Sequence, residues 1–185
     1  MKREKHSDLL PLGSLMPEFS LPSCNFGTIN SGDLEGKGFL ILFMCNHCPY
    51  VVGSIRTVNS TVKKWMSHGL TVVGINSNDP VKYPQDSFEN MKEFAKEIEL
   101  CFPYCFDETQ EVARKFDAQC TPEAYFFNDK RVLIYHGGVV DNPLDATRAT
   151  MNYLELIFER YFNGKAFDDL PVGSFNAEGC SIKWK

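Results

Sequence analysis

No stretch of this 185-residue chain holds the roughly 20 consecutive apolar residues that a membrane-spanning helix needs. A dominant charge of one sign is also missing. The 19 Lys and Arg against 24 Asp and Glu leave a net charge of −5, scattered along the chain. Electrostatics therefore offer no case for nucleic acid or an anionic membrane as partner. The opening residues Met1-Lys2-Arg3-Glu4-Lys5-His6-Ser7-Asp8 lead into no apolar segment. No signal peptide is expected, and the expected location is cytoplasmic. Repeats, low-complexity tracts and linkers are absent too. One domain over residues 1–185 is expected, with 1–13 flexible and 165–185 packed on it as a tail. The 7 cysteines are irregularly spaced and odd in number, unlike a disulfide scaffold, so at least one stays unpaired within the chain. Mostly reduced thiols are expected. What is plentiful is core material, at 43% hydrophobic and 13% aromatic residues, enough to fold without staples.

Two of the cysteines stand apart. Cys45-Asn46-His47-Cys48-Pro49 directly follows the apolar run Gly38-Phe39-Leu40-Ile41-Leu42-Phe43-Met44. That places a C-x-x-C at the C-terminal end of a buried strand, where a helix begins. The unpaired N–H groups and positive dipole end of such a helix stabilise a thiolate. His47 adds a positive charge beside the pair, which favours the thiolate further and makes the disulfide a better oxidant. Pro49 suits a first-turn position, where no N–H is needed. Position makes Cys45 the expected low-pKa, solvent-facing thiol and Cys48 the shielded one. Two plainer readings stand beside this one. The motif is half of a zinc site completed by Cys101 and Cys105, or its thiols are inert core residues. Cys101-Phe102-Pro103-Tyr104-Cys105-Phe106 alternates like a short strand, so its cysteines read more simply as small buried hydrophobes. A c-type haem is excluded here, because Pro49 and not His follows Cys48.

Elements alternate between strand and helix along the chain, the pattern of a sheet covered by helices. Phe19 to Leu21 and Gly27 to Ile29 read as a small hairpin, and Phe39 to Met44 as a central strand. A helix follows over 48–67, stopped near Gly69, and then a strand over 70–76. Asp86 or Ser87 caps a helix reaching about Glu99. Next come a strand over 102–106, a short helix over 108–116, a hairpin of 124–127 with 132–135, and an amphipathic helix over 144–162 ended by Gly164. Thr121-Pro122 precedes the first strand of that hairpin. A proline there fits an edge or a special geometry, and cis bonds are essentially confined to X-Pro.

With these residues in place, the chain resembles the thioredoxin-fold redoxins grouped as alkyl hydroperoxide reductase and thiol-specific antioxidant proteins. More narrowly, it resembles a bacterial branch with a Cys-Asn-His-Cys-Pro-Tyr-Val motif. The matching residues are Phe43 to Val51, Ile75-Asn76-Ser77-Asn78-Asp79, Phe102-Pro103-Tyr104, Cys120-Thr121-Pro122-Glu123 and the terminal Gly179-Cys180-Ser181-Ile182-Lys183-Trp184-Lys185. The resemblance implies an α/β thioredoxin fold, a central mixed β-sheet flanked by helices with an N-terminal β-hairpin extension. It implies dithiol exchange, with Cys45 attacking and Cys48 resolving, and neither cofactor nor metal. A cis Pro122 facing the dithiol is implied, with Thr121, Pro49 and Asn46 as the docking surface. The implied partners are protein or small-molecule disulfides and dithiols, with a dithiol electron donor such as thioredoxin or glutathione.

The same superfamily contains peroxidases, which resemble one another through Pro-x-x-x-Thr/Ser-x-x-Cys. Read back from Cys48, the hydroxyl and proline places hold Cys45 and Ile41. Read back from Cys45, they hold Leu42 and Gly38. Both frames fail, so a thiol-dependent peroxidase is the alternative, followed by a zinc-binding or non-catalytic redox-sensing module. Glu123 is either a proton acceptor for Cys48 or a plain solvated carboxylate. Cys120 is either a buried packing residue or a third redox thiol. Cys24 and Cys180 suggest no role. Ile182 and Trp184 are expected to pack the tail onto the domain, and His6, His68 and His136 to be structural or exposed.

Overall fold

In the computed structural model, which describes residues 10–167, 170 and 175–185, the chain opens with a hairpin of β1 (Ser20–Ser23) and β2 (Gly27–Asn30). The strand β3 (Gly38–Phe43) leads into α1 (Pro49–Met66), β4 (Leu70–Asn76) and α2 (Phe88–Glu97). After β5 (Tyr104–Phe106) and the short α3 (Glu111–Phe116) come β6 (Cys120–Thr121), β7 (Glu123–Asn128) and β8 (Leu133–Gly137). Helix α4 (Tyr153–Phe162) and β9 (Cys180–Ser181) complete the order. Seven strands form one sheet in the order β2-β1-β5-β4-β3-β7-β8, and β6 pairs with β9 in a separate ribbon. The central pairs β3–β4 and β4–β5 are parallel, whereas β7 runs antiparallel to β3 and β8 to β7. This is the expected mixed sheet flanked by helices, with the hairpin extending one side. The expected flexible segment falls mostly on residues 1–9, which lie outside those described, as do 168, 169 and 171–174 of the expected tail.

Strand alternation sorts the core into two layers. Leu40, Leu42 and Met44 lie with Val72 and Phe126 against Val51 and Ile55 of α1, Met91 of α2 and Phe158 of α4. On the other face Phe39, Ile41 and Phe43 join Val73, Ile75, Tyr125 and Phe127 against Phe116 of α3. Helices on both faces bury every residue of β3, so the strand is apolar throughout instead of alternating. Phe116 anchors the second layer. Its ring meets Phe43 at 5.4 Å and Tyr125 at 5.3 Å, both edge-on, the geometry that aromatic quadrupoles favour.

Local backbone conformation and capping residues set three helix starts, two of them later than the sequence suggests. Between the two candidate caps of α2, Ser87 serves, its hydroxyl accepting the Asn90 N–H at 3.3 Å. The short helix begins at Glu111 because Gln110 is left-handed, with φ of 63°. The amphipathic helix begins at Tyr153, well after Leu144. Asn152 caps it by accepting the Glu155 N–H, and Asp141 accepts the N–H and hydroxyl of Thr150. These polar side chains give 144–152 non-helical partners, leaving one 3-10 turn at Ala146–Arg148. Both helix-ending glycines are left-handed, Gly69 at φ of 101° and Gly164 at 65°.

In the tail, Ile182 is buried in the Phe116 layer. Trp184 does not follow it inward. It stays exposed, with the Arg114 guanidinium 4.8 Å from its ring. Phe116→Ala removes the ring that packs α3 against β3 and β7. It is expected to cost about 3–5 kcal/mol of stability, read as a lower urea midpoint with little change in slope.

Candidate active site

Strand β3 ends one residue before Met44, and the chain turns through Cys45, Asn46 and His47 before α1 starts at Pro49. Cys48, not Cys45, is the N-cap of α1, with Pro49 exposed in its first turn. The expectation of a solvent-facing Cys45 is corrected: it is 1% exposed and Cys48 is 0% exposed. The two sulfurs lie within hydrogen-bonding reach of each other. Across from them stands Thr121, whose peptide bond to Pro122 is cis. The Thr121 hydroxyl is 3.3 Å from Cys45 Sγ, and its carbonyl oxygen is 3.1 Å from Cys48 Sγ.

The hydrogen bond between the sulfurs is the largest influence on both thiols. It holds Cys48 down at about 4, against burial, with help from the backbone amides of Cys180 and Val51. It pushes Cys45 well above the ordinary thiol range, and burial and the charge of Asp86 push the same way. The helix start belongs to Cys48, while the Thr121 hydroxyl faces Cys45 and Cys48 donates to the Thr121 carbonyl, so the two thiols ionise as a pair. The pair behaves as one unit that releases its first proton easily and its second with difficulty.

Asp86 is a fully buried carboxylate that fastens the loop carrying the dithiol. It accepts the Asn46 N–H at 2.8 Å and the Asn78 side-chain amide at 2.7 Å, while its own backbone carbonyl accepts from Asn76. The His47 Nδ1 lies 2.6 Å from the same carboxylate, and its ring stacks on Tyr83 at 5.6 Å and 7°. His47 therefore faces Asp86 as well as the dithiol. Asn46 is tied down on both ends of its amide, which receives the Tyr104 hydroxyl proton and donates to the Gln85 carbonyl. It shapes the loop and is not a free docking group.

Glu123 is neither solvated nor a proton acceptor for Cys48. Fully buried, it accepts the N–H groups of Gln119 at 2.6 Å and Cys120 at 3.1 Å, and meets His136 Nε2 at 2.8 Å. His136 in turn stacks on Tyr125 at 4.3 Å, a structural role. Cys120 is buried opposite Ser181, and strand alternation turns it from the face on which Thr121 meets the dithiol. Cys101 and Cys105 do not join the pair to complete a zinc site. Cys101 packs beside Asn59 of α1, and Cys105 lies in β5 within the second core layer. Among the described residues, the group able to hold a metal is Cys45, His47 and Asp86, with ligand atoms within 4.8 Å of one another. Sequence reasoning missed Asp86 as part of the site. It also missed Cys180, which pairs opposite Thr121.

A strand ending in a paired thiol, a helix capped by the second thiol and a cis X-Pro opposite them belong to a thioredoxin fold. The sequence profile of the AhpC/TSA family matches residues 12–136, more than half of the chain, and the chain belongs to that family. It is similar to an uncharacterized conserved protein from Geobacillus kaustophilus, at 36% identity over 96% of this chain and 94% of that one, with a TM-score of 0.83. A hypothetical protein from Sinorhizobium meliloti 1021 is 27% identical over 96% of this chain and 97% of that one, also with a TM-score of 0.83. A thiol:disulfide interchange protein of the thioredoxin family from Chlorobium tepidum TLS shares the fold at 19% identity and a TM-score of 0.64, over 81% of this chain and 97% of that one. No curated protein sequence matches significantly.

Two outcomes follow from the site. Burial holds Cys24 and Cys180 up at about 11 and Cys105 at about 12, and it raises Cys101 too. Thiolate absorbance at 240 nm in the reduced protein at pH 7 is therefore expected to come from the Cys45–Cys48 pair. It should fade as pH falls through about 4 and be lost in Cys48→Ser. The sign is that of a depressed group: the thiolate stabilises the folded, reduced form above that pH and ceases to do so below it. His47→Ala leaves Asp86 less compensated beside Cys45, which disfavours the thiolate and so the reduced form. A fall in reduction potential of roughly 20 mV, equivalent to on the order of 1 kcal/mol, is expected in a glutathione equilibrium at pH 7.

Proposed function

We propose that the chain is a thiol–disulfide oxidoreductase that works through Cys45 and Cys48. Membership of the AhpC/TSA family and the thioredoxin fold support dithiol or peroxide redox chemistry in general. The narrower reading rests on one observation: two buried thiols share a hydrogen bond directly opposite Thr121 and its cis bond to Pro122.

The mechanism starts from a reduced pair that shares one proton between its two sulfurs. As a substrate disulfide approaches, the proton settles on Cys48 and Cys45, as thiolate, attacks a substrate sulfur. A mixed disulfide forms and the other substrate sulfur leaves as thiolate. The Thr121 carbonyl, 3.1 Å away, accepts from Cys48 only in this protonated state. The departing thiolate then takes the Cys48 proton, and Cys48 attacks the Cys45 sulfur. The second substrate thiolate leaves, and the pair ends as a disulfide. Two electrons have passed to the substrate, and a dithiol donor must restore them. Because a low thiol pKa stabilises the reduced pair, the disulfide is also a competent oxidant when a dithiol substrate is offered.

Cys48→Ser is expected to accumulate stable mixed disulfides on Cys45, because the intermediate loses its intramolecular exit, while Cys45→Ser accumulates none there. Both are read by non-reducing gels and peptide mass spectrometry of protein incubated with a disulfide-containing polypeptide such as insulin. Equal trapping by the two variants would count against the reading. Rapid peroxide consumption in the absence of any disulfide substrate would favour a peroxidase. The Cys45, His47 and Asp86 cluster favours a second reading, a metal-binding module, which requires about one metal ion per chain in protein purified without chelator.

A further inference from the structure

The end of the chain is fastened across the dithiol. Ile182 donates its N–H to the Gln119 carbonyl at 3.0 Å, and Lys183 donates its own to Asn78 Oδ1 at 2.8 Å. Asp79 N–H returns a bond to the Lys183 carbonyl at 2.8 Å, and Lys185 N–H reaches Gln110 Oε1 at 2.9 Å. The register sets Cys180 opposite Thr121. Gly179 approaches the cis peptide so closely that a Cβ would stand 2.1 Å from the Thr121 oxygen and 3.2 Å from the Pro122 nitrogen. Only glycine occupies that place without moving the backbone.

Directly opposed residues of an antiparallel pair project to the same face. Thr121 projects toward Cys45 Sγ, so Cys180 projects to the dithiol side as well, and its sulfur lies within hydrogen-bonding reach of Cys48 Sγ. Three thiols thus meet at one place. Cys45 and Cys48 are buried, whereas Cys180 is partly exposed. Cys120, one residue from Thr121, is not the third member, because its strand position turns it the other way.

We propose that Cys180 is a third redox thiol of this site, exchanging the Cys45–Cys48 disulfide for a Cys48–Cys180 disulfide and so carrying the oxidised bond toward solvent. The inference rests on the dithiol reading of Cys45 and Cys48. Cys180, as thiolate, attacks the Cys48 sulfur. The Cys48–Cys180 bond forms, the Cys45–Cys48 bond breaks, and Cys45 leaves as a thiolate that takes up the proton Cys180 gave to solvent. No electrons are gained or lost in this step. Afterwards Cys45 is free to meet a further disulfide, and a dithiol donor reaches the bridge through Cys180, its partly exposed member. Its two electrons break that bridge, and the donor leaves as a disulfide. Substrate and donor then use different sulfurs.

The test uses the full chain as wild type, Cys45→Ser and Cys180→Ser, each reduced and then oxidised with oxidised glutathione. The samples are acid-quenched, blocked with N-ethylmaleimide and mapped by mass spectrometry without reduction. Wild type is expected to contain both Cys45–Cys48 and Cys48–Cys180 bridges. Cys45→Ser should convert to the Cys48–Cys180 bridge, and Cys180→Ser should hold Cys45–Cys48 alone. A Cys45→Ser protein with native circular dichroism that stays glutathionylated at Cys48, with Cys180 free, overturns the proposal. The dithiol reading survives that result if Cys180→Ser still forms Cys45–Cys48, and it fails separately if that bridge is missing there.

Discussion

Thr121 is the residue on which the site turns. Its hydroxyl meets one thiol, its carbonyl meets the other, and its backbone forms the ribbon with the tail. Thr121 directly precedes Pro122 and the start of β7, the strand that pairs with β3. The register of β3 with β7 sets the distance, pairing Phe43 with Glu123 at the end of the sheet from which the dithiol emerges. A slip of one residue would invert the face of every side chain in β7 and separate Thr121 from the thiols. The interleaved layers around Phe116 and Phe126 oppose that slip, since each ring fits only one side of the sheet.

Two buried carboxylates serve this arrangement from opposite sides. Asp86 fastens the loop of Asn46 and His47, and Glu123 fastens the segment of Gln119 and Cys120 that leads into Thr121. A carboxylate removed from water must be compensated by donors, and each of these faces two backbone N–H groups or side-chain amides and one imidazole. The electrostatic consequences differ. Asp86 is near enough to Cys45 to oppose its ionisation, whereas Glu123 is directed to the backbone. The amides of Val51 and Cys180 favour a thiolate at Cys48, while the shared hydrogen bond lets the pair ionise as one unit.

The same contacts tie the dithiol to the far end of the chain. An edge that would otherwise offer unpaired backbone groups beside the cis peptide is covered by β9. The tail bonds from Gln119 through Asn78 to Gln110, so covering the edge involves three separate parts of the domain. Chemistry at the thiols and the position of the tail are thereby linked through Cys180.

Periodicity and punctuation made much of this readable from the sequence. A six-residue apolar strand, a C-x-x-C at its end, Pro49 in the first helical turn and glycines closing helices are local signals, decided within a few residues by backbone geometry and burial. The alternating strands and helices implied a covered sheet for the same reason. Tertiary structure decided what depends on distant residues meeting. Leu144 to Asn152 has a helical pattern, yet Asp141 and Asn152 hold it as a loop. His47 read as a cation beside the cysteine pair, and only the fold brings Asp86 to it from 39 residues away. Glu123 read as a proton acceptor or a solvated carboxylate, and the fold closes Gln119, Cys120 and His136 around it. Cys180 had no local context, because its partners, Thr121 and Cys48, lie 59 and 132 residues earlier in the chain. Spacing along a chain determines which face a residue takes; which charges and thiols it then meets is set by the packing of elements that the spacing does not record.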